Sequence, residues 1–146
     1  MSYPDIVKLA DATPVIVDGD ISQSFKITPE QLEAAITDKT KLFILNSPSN
    51  PSGKAYTRDE LRALGDVLLK HPNVVIISDD IYEHIVWTDE GFNNILNVCP
   101  ELNDRTVVIN GVSKAYSMTG WRIGYSGGPA EIIKGMKKVQ SQSTSN

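Results

Sequence analysis

The sequence predicts one α/β domain with a mainly parallel sheet flanked by helices. Short apolar runs rich in β-branched residues alternate with longer segments of helical periodicity, an order typical of strand–helix–strand units. A chain of 146 residues is long enough for one domain with a substantial core. No linker or internal repeat divides it, so we expect residues 1–146 to form a single unit.

The first half of the chain carries two predicted strands and two predicted helices. Residues 14–17 and 41–45 are the strands, and the second has almost no polar alternation, which is typical of a strand covered on both faces. The first helix is expected to begin after Thr28, a capping residue followed by proline and an acid. Thr57 and Glu60 form a capping-box pattern that predicts the start of the second helix.

The second half repeats the alternation. Residues 74–77 and 106–109 are predicted strands, and a further strand is expected around residues 122–125. A last helix is predicted to begin at Pro129 and to continue through Val139. Residues 89–103 show no clear period.

Composition and charge exclude several classes of protein. A net charge of -4 and a pI near 5.1 argue against a general nucleic-acid binder. No apolar run is long enough to span a membrane, and the first residues lack the features of a secretory signal. One cysteine and two histidines give poor support for a metal site, and we expect none. The expected location is the cytoplasm.

Polar residues follow three of the predicted strands, in residues 46–53, 78–83 and 110–114. Ligands of an open parallel sheet bind outside the carboxyl ends of its strands. If these strands are neighbours, one pocket receives an amide, a carboxylate, a phenol, an amine and a guanidinium, from Asn50, Asp79, Tyr82, Lys114 and Arg122. A lysine that is desolvated or lies near another cation loses its proton readily and can form a Schiff base.

Each of these residues also has a simpler interpretation. Asn50 is compatible with a turn before proline, and Asp79 with a helix cap. Tyr82 is compatible with a partly buried aromatic residue, and Ser113 with a turn. Arg122 lies in the predicted strand, where a buried guanidinium would need an anionic partner.

Three motifs together resemble the class I aminotransferases, which are pyridoxal-phosphate enzymes. They are Asn50-Pro51-Ser52-Gly53, Ser78-Asp79-Asp80-Ile81-Tyr82 and the run from Ser113-Lys114-Ala115 through Thr119-Gly120-Trp121-Arg122-Ile123-Gly124-Tyr125. The resemblance covers nearly the whole chain and is strongest to the bacterial aspartate aminotransferase branch. It implies that residues 1–146 are part of the large domain of the aspartate aminotransferase fold, the type I fold of pyridoxal-phosphate-dependent transferases.

The resemblance also implies roles for individual residues. Lys114 would form the internal aldimine with pyridoxal 5'-phosphate and move the proton at the substrate α-carbon. Asp79 would pair with the ring nitrogen, and Tyr82 and Asn50 would hydrogen-bond the ring oxygen. Ser113 and Arg122 would bind the phosphate. The resemblance thus implies that Lys114, Asp79 and Tyr82 are catalytic. The residues expected to contact the cofactor are Asn50, Asp79, Tyr82, Ser113, Lys114 and Arg122.

The family's enzymes are longer than this chain, so the resemblance implies that an amino-terminal segment and the carboxy-terminal small domain are absent from it. The implied reaction transfers an amino group between an amino acid, aspartate in the first place, and a 2-oxo acid such as 2-oxoglutarate. A homodimer is expected, and this chain alone is expected to show little or no turnover. The alternatives are another pyridoxal-phosphate enzyme of the same fold, such as a β-lyase, and a non-catalytic remnant.

Overall fold

The computed structural model describes residues 3–144, which form a four-stranded sheet with helices. The strands are β1 (Leu42–Asn46), β2 (Val75–Asp79), β3 (Thr106–Gly111) and β4 (Gly124–Gly127), in the spatial order β1-β2-β3-β4. The first three are parallel to one another, and β4 is antiparallel to β3. The prediction of an α/β fold with a mainly parallel sheet is therefore confirmed.

Six α-helices and three short 3-10 helices are formed by residues 3–144. The α-helices are α1 (Tyr3–Leu9), α2 (Pro29–Ala35), α3 (Arg58–Leu69), α4 (Ile95–Val98), α5 (Val112–Ala115) and α6 (Ala130–Gln140). The 3-10 helices are Ile21–Gln23, Pro100–Arg105 and Thr119–Trp121. The segment that has no clear period in the sequence thus contains α4 and a 3-10 helix, both too short to produce a periodic pattern.

Side-chain caps begin α2 and α3 where the sequence predicts them. Thr28 and Gln31 form a reciprocal capping box at the start of α2, and Thr57 and Glu60 form another at the start of α3. Each box satisfies backbone N–H groups that have no partner inside the helix. Local sequence therefore fixes the start of both helices.

The core lies on one face of the sheet, where α3 packs against the strands. Leu61, Leu64 and Leu68 of α3 are almost fully buried and belong to one cluster with Leu45 of β1 and Ile76 of β2. The burial of these apolar side chains is the main stabilising contribution.

The opposite face of the sheet is less covered than the sequence predicts. Ile44, Ile77 and Ile109 on that face are only partly buried, and Leu42 at the start of β1 is 40% exposed. The expectation that residues 41–45 are covered on both faces is thus wrong for residues 3–144. Ile77 of the central strand β2 is partly buried as well, so the exposure belongs to this face of the sheet and not only to the edge strand β1.

Residues 14–17 do not form the predicted strand. They have no regular secondary structure, and Val15 and Ile16 are 71% and 67% exposed. A β-branched run becomes a strand only where a neighbouring strand pairs with its backbone groups, and none of the four strands of the sheet does so here. The prediction of a strand at residues 14–17 is therefore wrong.

The strand expected around residues 122–125 begins later, at Gly124. Arg122 lies outside it, as the residue that ends the 3-10 helix Thr119–Trp121, with a left-handed backbone (φ 55°). The other strands are displaced from their predicted bounds by one or two residues, as is usual at strand ends.

Candidate active site

The carboxyl ends of β1, β2 and β3 lie side by side, as the parallel register requires. Asn46 pairs with Asp79, and Asp79 with Ile109. Two hydrogen bonds join these ends: Asn46 Nδ2 donates to the Asp79 carbonyl at 2.9 Å, and the Asp80 amide donates to the Ile109 carbonyl at 2.9 Å. The three polar segments that follow the strands therefore begin at one edge of the sheet.

Two of these segments meet through Asn50 and Tyr82. Asn50 Nδ2 donates a hydrogen bond to the Tyr82 hydroxyl at 3.1 Å, although the residues are 32 positions apart. Lys114 Nζ lies 5.7 Å from the centroid of the Tyr82 ring, which is within the range of a cation–π contact. The amide of Asn50, the phenol of Tyr82 and the amine of Lys114 thus lie close together, although they come from three different segments of the chain.

Ser113 and Lys114 lie in α5, which follows β3 directly. Ser113 is half-buried and Lys114 is exposed. A helix that starts where a buried strand ends holds its first side chains at the edge of the sheet, next to the end of β2. The position of Lys114 is therefore set by the β3–α5 junction.

Arg122 lies at the same edge, because β4 runs antiparallel to β3. Gly111 pairs with Gly124, and the Val112 amide donates to the Ile123 carbonyl at 3.3 Å. Arg122 precedes Ile123 and is exposed, and its Nη1 donates to the Thr119 carbonyl at 3.0 Å. The expectation of a guanidinium inside a strand was wrong: the side chain leaves from a turn, where hydration offsets the cost of its charge.

A further set of hydrogen bonds holds the loops that carry these residues. Asn110 Nδ2 donates to Glu83 Oε1 at 2.7 Å, which joins the end of β3 to the Tyr82 loop. The buried carboxylate of Asp80 accepts from Ser78 Oγ at 2.6 Å and from Asn94 Nδ2. Burial raises the pKa of Asp80, and the two donors partly oppose that effect.

Asp79 itself is held from two sides. Its Oδ1 accepts from the Ile81 amide at 3.3 Å, and its Oδ2 accepts from the hydroxyl of Tyr3, the first residue of α1. Sequence reasoning missed Tyr3, because the two residues are 76 positions apart and no local pattern connects them.

The donor set fits pyridoxal phosphate in its chemistry. Asp79 supplies a carboxylate for a ring nitrogen cation, and the amide–phenol pair of Asn50 and Tyr82 supplies donors for an anionic ring oxygen. Arg122 and the hydroxyl of Ser113 suit a phosphate, and Lys114 offers an amine for a carbonyl. The residue types at this edge of the sheet are thus chemically compatible with pyridoxal phosphate.

Residues 3–144 contain neither a metal-binding cluster nor a membrane-spanning helix. No group of three or more histidine, cysteine, aspartate or glutamate side chains is placed to hold a metal ion. None of the helices in that part of the chain combines the length and the apolar character of a membrane span.

Comparisons with known proteins identify the family of the chain. The family model "Aminotransferase class I and II" matches residues 1–146. The chain is 62% identical to an aspartate/prephenate aminotransferase of Nitrosomonas europaea over all of its length, and 54% identical to an aspartate aminotransferase of Rhizobium meliloti over 99% of it. It spans only 37% and 35% of the lengths of these two relatives.

Solved structures give the same result for the fold. The crystal structure of the Rhizobium meliloti aspartate aminotransferase superposes on 99% of this chain with a TM-score of 0.96, and the chain covers 36% of it. An aspartate aminotransferase of Thermus thermophilus with maleate, 41% identical, superposes on 97% with a TM-score of 0.89, and again 36% of it is covered. The fold is that of the large domain of these enzymes, and the chain belongs to the class I and II aminotransferase family.

Proposed function

We propose that the protein transfers an amino group between an amino acid and a 2-oxo acid with pyridoxal phosphate as cofactor. The observation that carries the proposal is the meeting of Asn50, Tyr82 and Lys114 at the strand edge that also bears Asp79. Membership of the aminotransferase family supports it. The chain spans about a third of the length of its relatives, and the activity is proposed for the protein as a whole.

Five side chains would hold the cofactor without taking part in bond breaking. Asp79 would bind the ring nitrogen, Asn50 and Tyr82 the ring oxygen, and Ser113 and Arg122 the phosphate. When bound, the cofactor supplies an electron-accepting ring that stabilises negative charge on the substrate α-carbon. A fixed carboxylate beside the ring nitrogen favours the protonated ring, which accepts electrons best.

Lys114 would attach the cofactor and transfer the proton. Its Nζ would hold the cofactor at the cofactor's carbonyl carbon and would carry a proton to and from the substrate α-carbon. Lys114 Nζ lies 5.7 Å from the centroid of the neighbouring Tyr82 ring, a contact that would help to orient the lysine side chain. A base held in place contributes about 10²–10⁴ to the rate of such a proton transfer.

The substrates are inferred from the relatives. Several proteins similar to this chain have names that include aspartate, and several also include prephenate. We therefore propose aspartate as the amino donor and a 2-oxo acid, such as 2-oxoglutarate or prephenate, as the acceptor. A homodimer in the cytoplasm stays a prediction from the sequence.

The 146-residue chain alone is expected to turn over slowly or not at all. Lys114, Arg122 and Trp121 are all exposed, so residues 3–144 alone leave the reacting groups open to water. Steady oxaloacetate formation from aspartate and 2-oxoglutarate by this chain alone would contradict that expectation.

The proposed function is tested by replacing the reacting amine in the whole protein. We expect Lys114→Ala to lower the rate of oxaloacetate formation from aspartate by more than about a thousandfold, because both the covalent attachment and the proton carrier are lost. Lys134→Ala is the matched control, since Lys134 lies exposed on α6. Unchanged activity of Lys114→Ala would contradict the proposed function.

A further inference from the structure

The contact between Tyr3 and Asp79 connects two distant parts of the chain. Tyr3 is the first residue of α1, and its hydroxyl donates a hydrogen bond to Asp79 Oδ2 at the carboxyl end of β2. The other carboxylate oxygen, Oδ1, accepts from the Ile81 amide at 3.3 Å. Both oxygens of Asp79 are therefore engaged, and rotation of the carboxylate would break both bonds.

The direction of this hydrogen bond is fixed by chemistry. An ionised carboxylate can only accept, so the phenol must donate. Burial, and then the bond to Asp79, raise the pKa of Tyr3 above its ordinary value. The phenol therefore keeps its proton throughout the neutral pH range and remains a donor.

Tyr3 also belongs to the same cluster as the cofactor-binding side chains. Tyr82, whose hydroxyl bonds Asn50, also raises the pKa of Tyr3, because two phenolates close together would repel each other. Each oxygen of a carboxylate has two lone pairs, so the bond from Tyr3 leaves Asp79 able to accept another donor. Tyr3 can thus orient Asp79 without blocking it.

We propose that Tyr3 is a positioning residue, which holds the Asp79 carboxylate in the orientation that pairs with the protonated ring nitrogen of the cofactor. This inference rests on the proposed function. A purely structural alternative is that the bond only attaches α1 to the sheet. The two differ in whether loss of the hydroxyl changes the state of the ring nitrogen.

The test uses Tyr3→Phe in the whole protein, because phenylalanine keeps the ring and removes only the hydroxyl. The protein is loaded with pyridoxal phosphate that carries ¹⁵N in its ring, and the ¹⁵N signal is followed against pH. We expect the ring nitrogen to lose its proton at lower pH than in the parent. The dissociation constant of the cofactor should rise about tenfold, the effect of losing a hydrogen bond to a charged group.

A double-mutant cycle separates positioning from structure. If Tyr3 acts through Asp79, Tyr3→Phe should change cofactor affinity much less when Asp79 is already alanine. Tyr125→Phe, on exposed β4, is the matched control and should leave both measurements unchanged. An effect of Tyr3→Phe that is equally large in the Asp79→Ala protein would overturn the inference in favour of the structural role.

The inference can fail separately from the proposed function. If Tyr3→Phe shows the same ¹⁵N titration and the same cofactor affinity as the parent, the role of Tyr3 is overturned. A protonated ring nitrogen in the parent would still support the proposed function in that case. A parent protein that binds no pyridoxal phosphate, or binds it with an unprotonated ring nitrogen, would overturn both.

Discussion

Asn110 shows how one side chain can join two loops of the site. It is 7% exposed; its Nδ2 donates to Glu83 Oε1 at 2.7 Å, and its Oδ1 accepts from the Gly111 amide at 2.7 Å. The first bond fixes the Tyr82 loop against the end of β3, and the second shapes the turn into α5. The distance between Tyr82 and Lys114 therefore depends on a residue that contacts neither of their reacting groups.

Asn110→Ala should lower the free energy of unfolding by about 1–3 kcal/mol, since it removes the side-chain acceptor of the Gly111 amide and the donor that joins Glu83 to β3. Glu83 Oε1 keeps a second contact, with His84 Nε2 at 3.3 Å. Glu83→Gln is the matched comparison, because glutamine keeps an oxygen that can accept from Asn110, and it should cost clearly less. Urea unfolding of the variants measures both values. Equal stability of Asn110→Ala and the parent would refute this account of the bridge.

At the residue scale, sequence could predict side chains whose motif lies beside a strand end. Asn50, Asp79, Tyr82 and Lys114 all follow apolar runs, and parallel pairing of those runs is enough to bring them together. Tyr3 could not be found in this way, because its role arises from a tertiary contact with a residue 76 positions later. The assigned roles of all six predicted residues remain predictions.

At the scale of elements, α3 closely approaches Cys99 at Gly65. A Cβ atom at this position would lie 2.2 Å from Cys99 Sγ and 3.2 Å from Cys99 Cβ, closer than atoms pack in proteins. Cys99 is fully buried between α4 and the 3-10 helix that follows. The absence of a side chain thus lets α3 touch the segment formed by α4 and this 3-10 helix, which contains four of the core residues, Ile95, Val98, Cys99 and Leu102.

Gly65→Ala should therefore destabilise the protein by about 1–3 kcal/mol through overpacking, despite the better helix propensity of alanine. Gly135→Ala in α6 is the control: nothing lies within 4 Å of its added Cβ, so stability should rise by up to about 1 kcal/mol. Adding Cys99→Ala to Gly65→Ala should recover part of the loss. Thermal unfolding in which Gly65→Ala is as stable as Gly135→Ala would disprove the close contact.

Elements could be predicted where their determinants are local. The capping boxes at Thr28 and Thr57 mark the starts of α2 and α3, because both partners of each box lie within four residues. The strand predicted for residues 14–17 failed, because strands also need a neighbour that the sequence pattern does not reveal. The start of β4 was misplaced for a similar reason: the left-handed turn at Arg122 delays it.

On the scale of the whole molecule, the sheet gathers a site along one edge. Parallel pairing aligns the ends of β1, β2 and β3, and the antiparallel β4 returns Arg122 to that edge. Several large apolar side chains near this edge are exposed, among them Tyr116 at 59% and Trp121 at 67%. The site of residues 3–144 is therefore open, which agrees with a chain that spans about a third of its relatives.

The central claim is that this edge binds pyridoxal phosphate through the Lys114 amine. Incubation of the whole protein with the cofactor, reduction with borohydride and peptide mapping test it most directly, because reduction makes the attachment permanent. We expect the label on the peptide that contains Lys114, and its loss in Lys114→Ala. Label confined to other lysines, or none at all, would contradict the account.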